Sequence, residues 1–178
     1  MIMTAEQILA FWLLPAEPAR THFRKLIGDL AKEFDAPIFE PHLTIYVTSP
    51  ENENADDLLR RALINAKPFR LRIDRIDHSE KFTKTLFVQF RQDSAVRELA
   101  RKFQAVSVSQ REYRVNPHVS LIYQTIPEET KAARARSIRL PFDEVWFDAA
   151  QSILSPVPII SAEQVKAWRV VASANMAA

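Results

Sequence analysis

Two short stretches of this chain carry the same order of residue types: FEPHLTIYV at 39–47 and VNPHVSLIY at 115–123. Each runs Pro, His, aliphatic, small hydroxyl residue, aliphatic, which singles out His42 and Thr44 in the first and His118 and Ser120 in the second. A His followed two residues later by Ser or Thr is common. Requiring the preceding Pro and the following β-branched residue or Leu in both copies brings chance below about one in a thousand on background composition. Both copies read as short strands. Their period of two sends His42 and Thr44 to one face and Leu43, Ile45 and Val47 to the other, with Val119 and Leu121 likewise behind His118 and Ser120. Two such strands related by a pseudo-twofold axis would set two imidazoles and two hydroxyls around one cleft. An imidazole titrates near neutrality, so a neutral ring can take a proton from water while a charged one protonates a leaving oxygen. The hydroxyls can donate to non-bridging phosphate oxygens. This set suits phosphodiester hydrolysis with no metal and no cofactor. Which ring is base and which is acid stays open, because the two copies are interchangeable.

Composition removes most other chemistries. The 178 residues contain no Cys, so disulfides, thiol nucleophiles, iron–sulfur clusters and Cys-ligated zinc are excluded. The same absence fits a reducing compartment, and the expected location is cytoplasmic. One Gly in the whole chain excludes phosphate-cradling glycine loops, so any phosphate must be held by side chains. With 24 basic and 22 acidic residues, the net charge of +2 is too balanced for a strong polyanion-binding surface. No run of 18 apolar residues could span a membrane. The opening MIMTAEQILAFWLLP has neither a basic n-region nor a small-residue cleavage site, so it is not read as a signal peptide.

The elements that must position the motifs follow from periodicity. Residues 8–14 form an apolar strand ended by Pro15. Pro18 to Phe34 repeats apolar residues at three-and-four spacing and reads as an amphipathic helix, with Gly28 inside it as a mark of close packing. Pro37 and Pro41 bracket an extended lead into HLTIYVT. A helix is predicted over 55–65 and a half-exposed strand from Phe69. HSEKFTK forms a turn, TLFVQF a strand, and Ser94 caps a helix carrying Val96, Leu99, Ala100 and Phe103. Residues 107–114 are ambiguous. A strand at 117–123, a Pro127-initiated helix, and strands at 143–154 and 165–172 follow, with SANMAA frayed at the end. The mixed order, with strands adjacent in places, indicates an α+β fold with antiparallel sheets in a single domain over residues 1–178.

With both motifs in hand, the sequence resembles the 2H phosphoesterases, defined by two His-x-Thr/Ser-x motifs on paired strands. Within that superfamily it looks most like the plant and yeast type of cyclic phosphodiesterase. That type carries an N-terminal aromatic strand, matched by FWLLP with Trp12, and a Tyr soon after the second motif, matched by Tyr123. The resemblance implies a two-lobed α+β fold, antiparallel sheets with outer helices around a central cleft. It also implies hydrolysis of ADP-ribose 1″,2″-cyclic phosphate or of nucleoside 2′,3′-cyclic phosphates, the latter opened to the 2′-phosphate. The expected partner is therefore a small nucleotide-derived cyclic phosphate, with an RNA end as the alternative, no membrane, and a monomeric protein. An RNA-end phosphodiesterase or 2′-5′ RNA ligase-like enzyme, and a non-catalytic nucleotide- or RNA-binding module, are the rival readings.

Strand parity alone sends Tyr123 to the core side, and only the resemblance gives it a place in the site. Trp12 is read mainly as core and as a candidate cleft wall, while Phe82, at a polar turn, is a candidate for stacking on a base. Arg111 and Arg114 precede the second motif and are the preferred electrostatic candidates. His22 is read as a solvated surface residue, and His78 has no partner at metal-ligand spacing. Lys131, Arg134, Arg136 and Arg139 read as a solvated helix face.

Overall fold

Strand and helix periodicities resolve into the order β1 (Gln7–Pro15), α1 (Ala19–Phe34), β2 (Leu43–Thr48), α2 (Ala55–Ala62), β3 (Phe69–His78), β4 (Leu86–Phe90), α3 (Ser94–Val106), β5 (His118–Ile122), α4 (Glu128–Ser137), β6 (Glu144–Pro156), α5 (Ala162–Lys166) and β7 (Arg169–Asn175), with a 3-10 turn, Phe82–Lys84, before β4. This is a computed structural model that describes residues 6–177; the first five residues of the segment read for a signal peptide, and the final Ala178, lie outside the described residues. Among those described, no helix is long and apolar enough to cross a membrane.

The strands join antiparallel in the order β2-β1-β6-β3-β4-β5, with β7 beside β6. The order is a palindrome of two βαβαβ units, β1-α1-β2-α2-β3 and β4-α3-β5-α4-β6, which exchange their last strands. Phe69–Arg72 of β3 pairs with β6, and the rest of β3 pairs with β4. The expected α+β architecture of two antiparallel halves with outer helices is present, and β3 is common to both halves. The two motif strands lie at the ends of this order. They are drawn toward each other by hydrogen bonds from the Tyr46 hydroxyl to the Arg111 carbonyl and between Thr48 and Ser109. On β1, Leu9, Phe11 and Leu13 enter the main core with Phe103 and Phe147, whereas Ile8, Ala10 and Trp12 face the opposite side.

Strict alternation fails once in each motif strand, at the same place. Phe11 opposes Tyr46 while Trp12 opposes Thr44, so Ile45 is an extra residue in β2. Leu86 opposes Ile122 while Phe87 opposes Ser120, so Leu121 is the extra residue in β5. Such a bulge reverses the parity of everything after it. Tyr46 and Ile122 turn into the core, and Val47 and Tyr123 turn to the side of the histidines. Val47 and Tyr123 therefore both lie opposite to the faces that simple alternation assigns them.

Other expectations change for local reasons. Asp93, not Ser94, caps α3, its carboxylate accepting the Ala95 amide at 2.8 Å. Helix α2 stops at Ala62. The predicted strand at 165–172 is split between α5 and β7, and the predicted frayed end begins with the last three residues of β7, followed by Met176 packed in the core at 7% exposure. Gly28 does not mark a close approach, since a Cβ there would meet nothing within 4 Å. Gly28→Ala is therefore expected to stabilise the protein by about 1 kcal/mol, because it removes backbone freedom from a helix interior at no steric cost. Urea denaturation measures this, and a lowered midpoint would contradict the open space around the position.

Candidate active site

The face carrying His42, Thr44, His118 and Ser120 walls a cleft of about 260 Å³, completed by Trp12, Tyr123 and Trp168. The sequence expectation that the two motifs share one cleft holds. Each imidazole is tethered in the same way. Nδ1 of His42 lies 2.7 Å from the Glu40 carbonyl, and Nδ1 of His118 lies 2.8 Å from the Asn116 carbonyl. A carbonyl only accepts, so each Nδ1 carries the proton and each Nε2 is the free nitrogen of the ring.

The tethers are themselves braced. Glu40 is held by Arg20 and Arg24 from α1, at 2.6 and 2.9 Å. Asn116 and Pro117 accept hydrogen bonds from the Gln89 amide, both at 2.9 Å. The residues supplying the orienting carbonyls are thus fixed by side chains from other elements. Nothing local to either motif signals Arg20, Arg24 or Gln89 in these roles.

Surroundings distinguish the two rings. Trp12 lies flat on His42, ring centroids 3.5 Å apart and planes 11° apart, and Trp168 meets the same imidazole edge-on at 5.7 Å. Among the described aromatic residues, His118 meets the edge of Phe87, at 5.8 Å. Burial pushes His42 down to about 3, assisted by the nearby His118 and opposed by the Glu40 carbonyl. His118 is also lowered, first by burial and then by the charge of Lys84, against the pull of the Asn116 carbonyl. Both shifts favour the neutral form of the rings near pH 7.

The hydroxyls differ as well. Ser120 Oγ donates to the Thr83 carbonyl at 2.8 Å, tying β5 to the 3-10 turn. Thr44 has no such partner among the described residues and is open to the cleft. The turn is fastened further by Ser79 Oγ to the Lys84 carbonyl and by Thr85 Oγ1 to the Gln124 carbonyl, so HSEKFTK is a braced loop.

That turn supplies what the motifs do not signal. Lys81 and Lys84 line the cleft, no Asp or Glu among the described residues lines it, and Lys84 Nζ sits 4.1 Å from the centre of the Phe87 ring. Burial holds the Lys84 ammonium below its ordinary range. Lys-x-x-Lys in a polar turn carries no local signal, because it reads equally well as a solvated loop. Trp168 is likewise invisible to motif reasoning. It is far from both copies in sequence and is locked by its indole N–H donating to Ser155 Oγ at 2.9 Å.

Several expected positions are corrected. Phe82 does not line the cleft; it packs behind, with its ring centroid 6.3 Å from that of Tyr123. Tyr123 does line it, buried among Phe39 and Trp168, and burial pushes its phenol well above the ordinary value. Trp12 is a cleft wall as well as a packed residue. Arg111 and Arg114 do not line this cleft, and Arg114 faces a separate groove. Lys131 is no solvated residue: its side chain is 3% exposed and its ammonium bonds Glu80, Glu128 and the Ser79 carbonyl. His22 is half-buried, edge-on to Phe142. His78 lies 3.3 Å from Glu128, and among the described residues no three His, Asp or Glu side chains gather as metal ligands would.

Residues 15–152, which carry both motifs, match the 2′-5′ RNA ligase superfamily. The cyclic phosphodiesterase of Arabidopsis thaliana is 27% identical over 130 residues, covering 71% of this chain and 70% of that protein. E. coli LigT in apo form aligns with a TM-score of 0.59 at 17% identity, over 97% of this chain and 99% of LigT. LigT complexed with 3′-AMP aligns with the same score at 15% identity, over 96% and 98%. LigT complexed with NADP+ gives 0.58 at 16%, again over 96% and 98%. At these identities the structural matches establish the fold. Paired histidine motifs on matched bulged strands, and a superfamily match spanning most of the chain, place this protein in the 2′-5′ RNA ligase superfamily, the 2H phosphoesterases.

Proposed function

We propose that this protein is a metal-independent cyclic phosphodiesterase that hydrolyses ribose cyclic phosphates, taking nucleoside 2′,3′-cyclic phosphate to the 2′-phosphate and ADP-ribose 1″,2″-cyclic phosphate to the 1″-phosphate. The observation that carries the reading is the pair of Nδ1-tethered imidazoles in a cleft lined by two lysines and no carboxylate. Water attacks phosphorus as the Nε2 of one histidine takes its proton. The P–O bond to one ribose oxygen breaks, and the Nε2–H of the other histidine protonates that oxygen. Thr44 and Lys84 hold the non-bridging oxygens. Ser120 joins them when its hydroxyl turns from the Thr83 carbonyl. Burial favours neutral rings near pH 7, so the acid takes up its proton together with the anionic substrate. Trp12, Tyr123 and Trp168 form an aromatic wall for the nucleoside, and the nucleotides bound by LigT support a ligand of this class.

The same reading takes residues 1–178 as one two-lobed domain, supported by the exchange of β3 and β6 between the halves. The absence of Cys supports a cytoplasmic setting. The test is incubation with ADP-ribose 1″,2″-cyclic phosphate and the four nucleoside 2′,3′-cyclic phosphates in EDTA, with products followed by phosphorus NMR. Turnover to the 1″- or 2′-phosphate is expected, and its absence on all five substrates would overturn the assignment. Lys84→Met should lower kcat/KM by about 10- to 100-fold, as expected for one charge-assisted hydrogen bond to phosphate. An unchanged kcat/KM would remove Lys84 from the phosphate contacts.

A further inference from the structure

A second groove, of about 380 Å³, runs between α3 and the segment leading into β5. Arg97 and Arg101, one helical turn apart on α3, line one side, and Arg114 lines the other. Glu112 is the single carboxylate in its lining, while Glu98 of α3 lines a different part of the surface. Among the described residues, none of the three guanidinium groups is in an ion pair, whereas the arginines of α1 and α2 bond carboxylates. The groove is preformed, because its β5-side wall is pinned. Gln92 donates to the Val115 carbonyl at 3.3 Å, Gln104 to the Gln110 carbonyl at 3.2 Å, and Tyr46 to the Arg111 carbonyl at 2.9 Å.

Tyr113 borders both this groove and the catalytic cleft, so a single side chain divides the two spaces. A molecule seated in the cleft by its cyclic phosphate therefore has an adjoining surface, three guanidinium groups against one carboxylate, for a second anionic group. Guanidinium suits phosphate through its planar fork of donors, and an excess of positive charge beside a cationic cleft disfavours a carboxylate-rich or neutral ligand.

We propose that Arg97, Arg101 and Arg114 form a second phosphate subsite, which receives the phosphate on the 5′ side of the ribose whose cyclic phosphate occupies the cleft. The proposal rests on the reading of the cleft as a ribose cyclic phosphate site, and it makes substrates with two phosphate positions the preferred class. That phosphate is either the pyrophosphate of an ADP-ribose cyclic phosphate or the next phosphodiester of an RNA end, and the ligand chemistry is the same.

Calorimetric titration of the full chain in 50 mM salt separates the two readings without requiring turnover. Adenosine 2′-monophosphate probes the cleft alone, and adenosine 2′,5′-bisphosphate probes both sites. The bisphosphate should bind about tenfold more tightly, and its log affinity should fall more steeply with log salt. In the exposed-surface variant Arg97→Gln/Arg101→Gln the two affinities should converge. Equal affinities in the unaltered protein, or a preference that survives the double substitution, would overturn the subsite while leaving the cleft reading intact. Binding of neither compound would overturn both. ADP-ribose 1″-phosphate and a dinucleotide ending in a 2′-phosphate then distinguish the sources, the physiological one losing more affinity in the double variant.

Discussion

His42→Asn and His118→Asn should each lower kcat/KM for a ribose cyclic phosphate by about 100- to 10,000-fold, the range for loss of a positioned general acid or base. Asparagine retains an N–H that can donate to the Glu40 or Asn116 carbonyl, so the tether survives while the free ring nitrogen is lost. The two single variants should be similarly impaired, because hydrolysis needs a proton removed from water and another delivered to the leaving oxygen. The double variant should fall little further, as residues acting as a unit are not additive. Steady-state kinetics with circular dichroism to confirm the fold provides the check. Substantial activity in either single variant would sink the two-histidine mechanism.

Acid should destabilise this protein through His42, and the sign follows from its surroundings. Trp12 stacked on one face and Trp168 against its edge hold the folded-state imidazole at about 3, against 6.5 for an exposed histidine. Between those values the unfolded chain binds a proton that the folded chain does not. Stability therefore rises with pH across this window and levels off above pH 6.5. The slope from this one group approaches about 1.4 kcal/mol per pH unit once the unfolded ring is mostly charged, so lowering the pH from 6.5 to 4.5 should cost about 2 kcal/mol. His118, also lowered, adds to the loss in the same direction. Carboxylates titrate nearby, so the informative quantity is the difference between parent and His42→Asn in urea unfolding at pH 7, 5.5 and 4.5. The variant should lose less stability on acidification, and parallel curves would show that His42 is protonated without cost in the fold. The same physics bears on catalysis. On the proposed mechanism, the histidine that serves as acid would gain its proton most readily beside an anionic substrate, whose charge offsets the cost of burial.

Much of this protein is legible in the order of its residues. The repeated Pro-His-aliphatic-hydroxyl pattern marks His42, Thr44, His118 and Ser120, and these four do line one cleft. Apolar alternation and helical spacing locate β1, α1, β2 and α3 to within a few residues, because those signals are local and strong. Where they are weak or short, as at residues 162–176, a helix, a strand and a core methionine read as one strand and a loose end.

What sequence alone determined is the chemistry: residue types at fixed spacing on strands, and an internal repeat that demands symmetric placement. The tertiary structure decided the environment of that chemistry. A bulge is a relation between two strands, so it cannot be read from either one. The extra residues Ile45 and Leu121 carry Val47 and Tyr123 to the histidine face. The aromatic packing around His42 draws on β1, the segment before β2, the end of β5 and the turn before β7, four places that folding alone brings together. Lys84 sits in a turn and Lys131 in a charged helix, and no local motif marks either position. One is turned into the cleft by a braced 3-10 turn, and the other is buried by Glu80 and Glu128, because charge is assigned a role only by what folds against it.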